Sequence, residues 1–223
     1  MKKVFAAVLV MIFVFAAIAS ATVIKLPDPA FDGTMSLERA LYLRRSIRDY
    51  TDQPLTLQQL AQLLWATYGI SEPEQKLRTA PSGRRAYPLE VFVMVSENGV
   101  VGLEAGVYQY DAIEHSLKQI LKGDVRAQLA RTGSAAIGVA PISVIIAADM
   151  EKAAQVLGNP DVAPKYVYLE VGHAAQNLYL QATALGLGCV VTAGFRAEQA
   201  QAVLKIPEKY TLIYITPVGY PKQ

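Results

Sequence analysis

The chain has 223 residues, 52% of them apolar and 18% charged, with a formal net charge of +2. This excludes a disordered or fibrous chain and suits one domain with a sizeable core. The only cysteine, Cys189, excludes an intrachain disulfide, and the two histidines lie outside any ligand-like cluster, so no zinc pattern is present.

Residues 1–21 read as an export signal. Lys2 and Lys3 form a positive end, residues 4–18 are an unbroken apolar run, and Ala19-Ser20-Ala21 supplies the small-x-small pattern for cleavage. The run is short of the ~20 apolar residues that span a bilayer. Val23 and Ile24 extend it, so an uncleaved N-terminal anchor is the alternative. In both cases the domain is expected outside the cytoplasmic membrane, either periplasmic or secreted. A membrane partner is expected only if the segment is retained. There is no twin arginine, and no cysteine follows the apolar run to carry a lipid. Loss of Lys2 and Lys3 brings the formal side-chain charge to zero, a poor basis for nucleic-acid binding.

Residues 22–35 hold Pro27, Pro29 and Gly33 and read as a linker or extended arm. Ser36 caps a short helix with Leu37, Ala40, Leu41 and Arg44 at helical spacing. Thr56 to Gln59 form a capping box, and Leu57, Leu60, Ala61, Leu64 and Tyr68 make one apolar stripe that Gly69 ends. Trp65 is expected in the core or in a subunit interface. Residues 76–88 form a basic, proline-containing loop that runs into a strand at 89–95. Asn98-Gly99 is a hairpin signal leading to a second strand within 100–111. There, alternation puts Val107 on one face and Tyr108 and Tyr110 on the other. His115 follows in a turn and reads as structural.

Residues 124–133 suggest a short amphipathic helix, and 142–148 a buried central strand. Residues 165–185 give the longest helical pattern, whose small residues suit a central or dimer-interface helix. His173, Gln176 and Asn177 are read there as buried helix-to-helix hydrogen-bonding groups. A strand at 189–192, a helix at 197–204 and a strand at 212–218 complete the chain. The elements alternate without βαβ order, which argues for an α+β sandwich rather than a doubly wound sheet. No G-x-G-x-x-G follows a strand, so a Rossmann site is not expected.

The chemistry concentrates in Arg44-Arg-Ser-Ile-Arg48, directly after the first helix. Arginine forks hold phosphates and planar anions through paired hydrogen bonds. A helix C-terminus carries the wrong dipole sign for an anion, so side chains must do the holding. Taken alone, the cluster also reads as a solvated basic turn.

Six pieces in order then resemble the nitroreductase-like flavoprotein family, most of all its SagB-type dehydrogenase branch. They are Arg44–Arg48, Ala80–Glu90 (APSGRRAYPLE), Gly106–Asp111 (GVYQYD), Glu170–Asn177 (EVGHAAQN), Ala184–Gly188 (ALGLG) and Pro217–Pro221 (PVGYP). The resemblance covers residues 36–223. It implies a three-layer α+β sandwich, with a central, mainly antiparallel sheet flanked by helices. It also implies a homodimer with two FMN sites at the subunit interface.

By position, Arg44 and Ser46 would hold the FMN phosphate, Arg45 would also belong to the cofactor site, and Arg48 would sit by the flavin pyrimidine edge. Pro81, Ser82, Gly83 and Arg85 would reach the flavin from the partner subunit. Ala193 and Gly194 would pass its N5 edge. A fixed cation at Arg48 suits the negative charge that hydride acceptance places on the pyrimidine side. The flavin then carries the chemistry and no catalytic side chain is required.

Three positions depart from the family pattern. Arg85 and Ala193 stand where many members have Asn and Glu. The chain also stops soon after Gly219-Tyr-Pro221, leaving Lys222 as the only further basic candidate for the phosphate. The resemblance implies an oxidoreductase acting on a small organic substrate, with NAD(P)H as an expected donor, and the leader adds the expectation that it is exported. The alternatives are a SagB-like azoline dehydrogenase acting on a peptide, or a flavin- or anion-binding protein without turnover.

Overall fold

The computed structural model describes residues 22–222; the export signal expected at 1–21 lies outside the described residues. At its centre are β4 (Leu89–Val95) and β7 (Ile142–Ala148), paired antiparallel over their whole length. Both strands alternate with period two. Val91, Val93 and Val95 enter one apolar layer, whereas Phe92 and Met94 enter another. In β7, Ile142, Val144 and Ile146 share the first layer and Ile145 and Ala147 the second.

Outward from β4 lie β5 (Gly106–Asp111), β6 (Ser116–Lys122) and the edge strand β1 (Val23–Lys25). Outward from β7 lie β9 (Thr211–Gly219) and the short β8 (Gly188–Cys189). Every neighbouring pair in this seven-stranded sheet is antiparallel. A separate small hairpin joins β2 (Ile70–Glu72) to β3 (Leu77–Arg78).

One face of the sheet packs against α2 (Leu57–Tyr68), α5 (Met150–Leu157) and α6 (Ala163–Ala184). The other face packs against Leu129 of α3 (Arg126–Ala130), Ile137 of α4 (Ala135–Val139) and Ala200 and Leu204 of α7 (Ala197–Leu204). The result is the expected α+β sandwich with helices on both faces. A seventh helix, α1 (Leu37–Leu43), packs on α6 and buries only Ala40. Among the described residues no helix is long and apolar enough to cross a membrane.

The caps read from the sequence are present. Ser36 Oγ accepts from Arg39 N, and Thr56 and Gln59 close a reciprocal capping box. Gly69 ends α2 at a φ of −73°, so left-handed freedom is not the reason for glycine there. A Cβ at that position would stand 2.4 Å from the Trp65 side chain.

Several expectations are corrected. Of the two readings for residues 22–35, the arm holds at its start, where β1 pairs with β6 and Leu26 behind it is buried. A three-residue edge strand has no internal periodicity to reveal it. The Asn98-Gly99 turn does not join β4 to β5 directly; ten residues lie between them. Instead, Gly99 N–H closes a turn on Ser96 O, and a Cβ at Gly99 would meet the Pro141 carbonyl at 2.2 Å. Strands β6 and helix α5 were not anticipated. For α5 the signal was present: Asp149 caps Lys152 N, and Gly158 stops the helix at a φ of 72°.

Candidate functional site

The arginine stretch turns away from α1 and runs beside β8. Ser46 and Cys189 form a parallel bridge, and Ile47 N–H donates to Cys189 O at 2.9 Å. This close passage explains Gly188, where a Cβ would lie 2.7 Å from the Ile47 side chain. On the other flank the C-terminal segment lies antiparallel to residues 49–51. Thr51 N–H donates to Tyr220 O, and Lys222 N–H donates to Asp49 O. The Lys222 backbone therefore lies beside Asp49, next to Arg48 in the chain.

Tyr179 of α6 ties this neighbourhood together. The Arg44 guanidinium carbon lies 5.0 Å from the centre of its ring. The Tyr179 hydroxyl accepts from Val191 N–H at 2.9 Å and lies 3.1 Å from Ser46 Oγ. Either hydroxyl can be the donor in this second contact. When the phenol donates, the Ser46 proton is available to an outside acceptor. Tyr179 was not anticipated; its role depends on three contacts made by distant segments.

The cations are not neutralised from within. Among the described residues the only ion pairs are Arg126–Asp124 and Lys209–Asp149. Arg48 has one long bond, 3.4 Å, to Ser46 O. Arg45 differs from the expectation. Its Nη1 donates to Tyr42 O and Arg44 O at 2.9 and 2.7 Å, so it caps the exposed carbonyls of α1.

Beyond Val191, Thr192 exchanges both backbone bonds with Ile215, and Arg196 N–H donates to Thr132 O. Between these anchors Ala193 and Gly194 are exposed, and their N–H groups have no acceptor among the described residues. A Cβ at Gly194 would meet nothing within 4 Å. Unneutralised cations, a hydroxyl and two open amides fit an anionic, planar, hydrogen-bonding group such as FMN. Cys189 does not compete as a nucleophile: it is buried, and burial pushes its thiol up to about 12.

The second set of expected residues is elsewhere. Pro81 is exposed, Ser82 donates to Glu170 Oε2 at 2.6 Å, and Gly83 opens a single 3-10 turn. A Cβ at Gly83 would lie 2.6 Å from the Tyr166 ring, so this loop is seated on α6. Arg85 donates to Gln75 Oε1 at 3.2 Å. The loop is anchored at Glu170 and the arginine stretch at Tyr179, nine residues and roughly 14 Å apart along α6. Within one chain the two groups are not brought together.

Other residues resolve simply. His173 and Gln176 are exposed, against the expected buried bonding. Asn177 donates to Thr79 O, a helix-to-loop bond. The carbonyl of Pro27 can only accept, so His115 Nε2 carries the proton and Nδ1 accepts from Tyr110. Trp65 donates to Ile70 O and packs against exposed Phe31, with the rings tilted by 59°, at the rim of a cleft of about 710 Å³. Tyr87 lines a second cleft of about 770 Å³. Neither cleft is lined by Arg44, Ser46 or Arg48.

The sequence profile of the Nitroreductase family matches residues 41–220. This chain belongs to the nitroreductase family. A relative from Methanocaldococcus jannaschii, named as a nitroreductase, is 43% identical over 198 residues, covering 88% of this chain and 95% of its own. A crystal structure from Ralstonia eutropha JMP134, also named as a nitroreductase, superposes with a TM-score of 0.79. It is 30% identical and covers 90% of each chain. The NADPH:FMN oxidoreductase of Vibrio harveyi superposes with a TM-score of 0.59 over 84% of this chain and 69% of its own; at 21% identity it shows the fold alone. The protein is thus a nitroreductase-type oxidoreductase on the expected antiparallel sandwich.

Proposed function

We propose that this chain is an exported, homodimeric, FMN-dependent oxidoreductase that moves a hydride between a nicotinamide donor and a small organic substrate. The observation that carries the reading is the group of unneutralised cations, Arg44, Arg48 and Lys222, on the segments that flank the Ser46 hydroxyl. A phosphate monoester brings about −1.5 to −2 charges and three acceptor oxygens, which matches that set. Arg44 and Ser46 bind the phosphate, Lys222 adds charge beside it, and Arg48 stands by the pyrimidine edge. The open Ala193 and Gly194 amides orient the ring by hydrogen bonding. When bound, FMN supplies hydride acceptance and return at N5.

Dimerisation completes the site. On α6, Tyr166, Tyr168 and Leu169 are large and exposed, as are Leu37, Leu41 and Tyr42 on α1. Contiguous exposed apolar side chains mark an interaction surface. Exposed His173 and Gln176 lie symmetrically about the midpoint between Glu170 and Tyr179. A two-fold axis crossing there, with the α6 helices antiparallel, brings the Ser82 loop of one subunit to the arginine stretch of the other. Export is supported by Lys2, Lys3, the apolar run and Ala19-Ser20-Ala21.

The test is gel filtration of the purified protein with FMN, followed by NADH or NADPH. Flavin eluting with a dimer and bleaching on addition of the donor is expected. A colourless monomer that retains no FMN sinks the reading, and a flavin-bound dimer that no donor reduces leaves only the binding function.

A further inference from the structure

Glu170 is a buried carboxylate, 3% exposed, with no cation paired to it among the described residues. Buried charges are normally paired. Here the compensation comes from two hydroxyls. Tyr68 of α2 donates to Oε1, and Ser82 of the loop donates to Oε2 at 2.6 Å. Ser82 in turn accepts the Tyr87 N–H at 2.9 Å, and its own carbonyl accepts Arg85 N–H. One hydroxyl therefore closes the 82–87 loop and ties it to α6.

The loop needs such a tie. Arg84, Arg85 and Tyr87 stand at φ values of 53°, 56° and 44°, left-handed positions that non-glycine residues hold only when their surroundings over-determine them. The sole Ser82 proton is committed to Glu170. Ser82 thus shapes the loop rather than donating to a flavin.

We infer that Glu170 is the positioning residue of the flavin-contact loop, its carboxylate holding residues 81–87 through Ser82 in the shape that meets FMN. The inference rests on the FMN reading of the site. A carboxylate suits the task because it accepts from both hydroxyls and donates to neither. A glutamine presents an N–H₂ edge to one of them, and Ser82, already accepting from Tyr87, has to turn.

The device is sensitive to acid. Burial raises the Glu170 carboxyl above its ordinary range, against the opposing pull of the Ser82 and Tyr68 hydroxyls, His173 and Lys152. The groups facing it are Tyr68 on α2, Ser82 and Tyr87 in the loop, Lys152 on α5 and His173 on α6. Arg78 on β3 lies over the Tyr68 and Tyr87 rings. Protonation gives the carboxyl a donor of its own and leaves one hydroxyl without an acceptor, so the loop loosens as pH falls. Global stability moves the other way. A raised carboxyl binds its proton more readily folded than unfolded, so removing the charge does not weaken the fold.

The experiment compares wild type, E170Q, S82A and the double variant. FMN dissociation constants are measured by flavin fluorescence from pH 5.5 to 8, amide hydrogen exchange of residues 83–87 without FMN, and urea midpoints. E170Q is expected to weaken FMN about tenfold at pH 7.5 and to speed loop exchange, with its urea midpoint unchanged or raised. The double variant is expected to lose no more than the weaker single one, since both break the same tie. Wild-type affinity converges on that of E170Q as pH falls; the phosphate's own titration affects both equally. Unchanged FMN affinity and loop exchange in E170Q overturns the inference, as do additive losses in the double variant. Wild type that holds no FMN overturns the reading of the site itself, and loop exchange then still decides whether Glu170 holds the loop.

Discussion

Arg44 lies with its guanidinium carbon 5.0 Å above the ring of Tyr179. The pairing presents a cation on a rigid aromatic support rather than on a free side chain, so less rotamer entropy is lost when an anion binds. The same phenol fixes Ser46 and the Val191 amide. Charge, hydroxyl and loop are thereby set in place before any ligand arrives.

Removing that charge is expected to cost FMN affinity. Arg44→Ala removes one charge-assisted hydrogen-bonding partner, worth about 1.5–3 kcal/mol, or about 10- to 150-fold in dissociation constant. Fluorescence titration measures it. Full retained affinity would show that the phosphate sits elsewhere.

Tyr179→Phe keeps the ring under Arg44 and removes two hydrogen bonds. The Val191 N–H then loses its acceptor. Urea unfolding is expected to show a loss of about 1–3 kcal/mol, with FMN binding weakened alongside it. A variant as stable as wild type would mean that water replaces the hydroxyl without cost.

Gly188→Ala forces a Cβ into the Ile47 side chain at 2.7 Å. The arginine stretch must shift or the fold must strain, at about 1–3 kcal/mol. Calorimetry and FMN titration together report it. An unaltered melting temperature and affinity would show that Ile47 turns aside freely.

His115 ties the turn before β6 to the arm through Tyr110 and Pro27. Burial lowers its pKa below 6.5, so the fold favours the neutral ring. Its contribution is fully present above about pH 6.5 and is lost as pH falls through that value toward the folded pKa. The wild-type urea midpoint is therefore expected to fall between pH 7 and pH 5 more steeply than that of His115→Gln. Parallel slopes would remove His115 from the acid response.

Leu169→Asp places a charge on the exposed face of α6, where Leu169 is 54% exposed. In a monomer this substitution is nearly neutral. If the face joins two copies, light scattering after gel filtration is expected to show a monomer with lost FMN retention. A dimer that persists would move the interface off α6.

The sequence by itself determined the elements that carry a strong local period or cap: α2 with its capping box, the twin-faced strands β4 and β7, and the long α6. It also determined the residue types of the basic cluster, because a stretch such as Arg44–Arg48 needs no partner to be seen. Tertiary structure decided what those residues do. Arg45 became a helix cap because α1 ends beneath it. Tyr179 became the hub because α6 passes both the arginine stretch and β8, and Glu170 became a loop anchor because Ser82 folds back onto it from 88 positions away. β1 entered the sheet only because β6 offered an edge. Local propensity acts within a few residues of the chain. These roles were set by backbone groups and charges that meet only after the chain has packed.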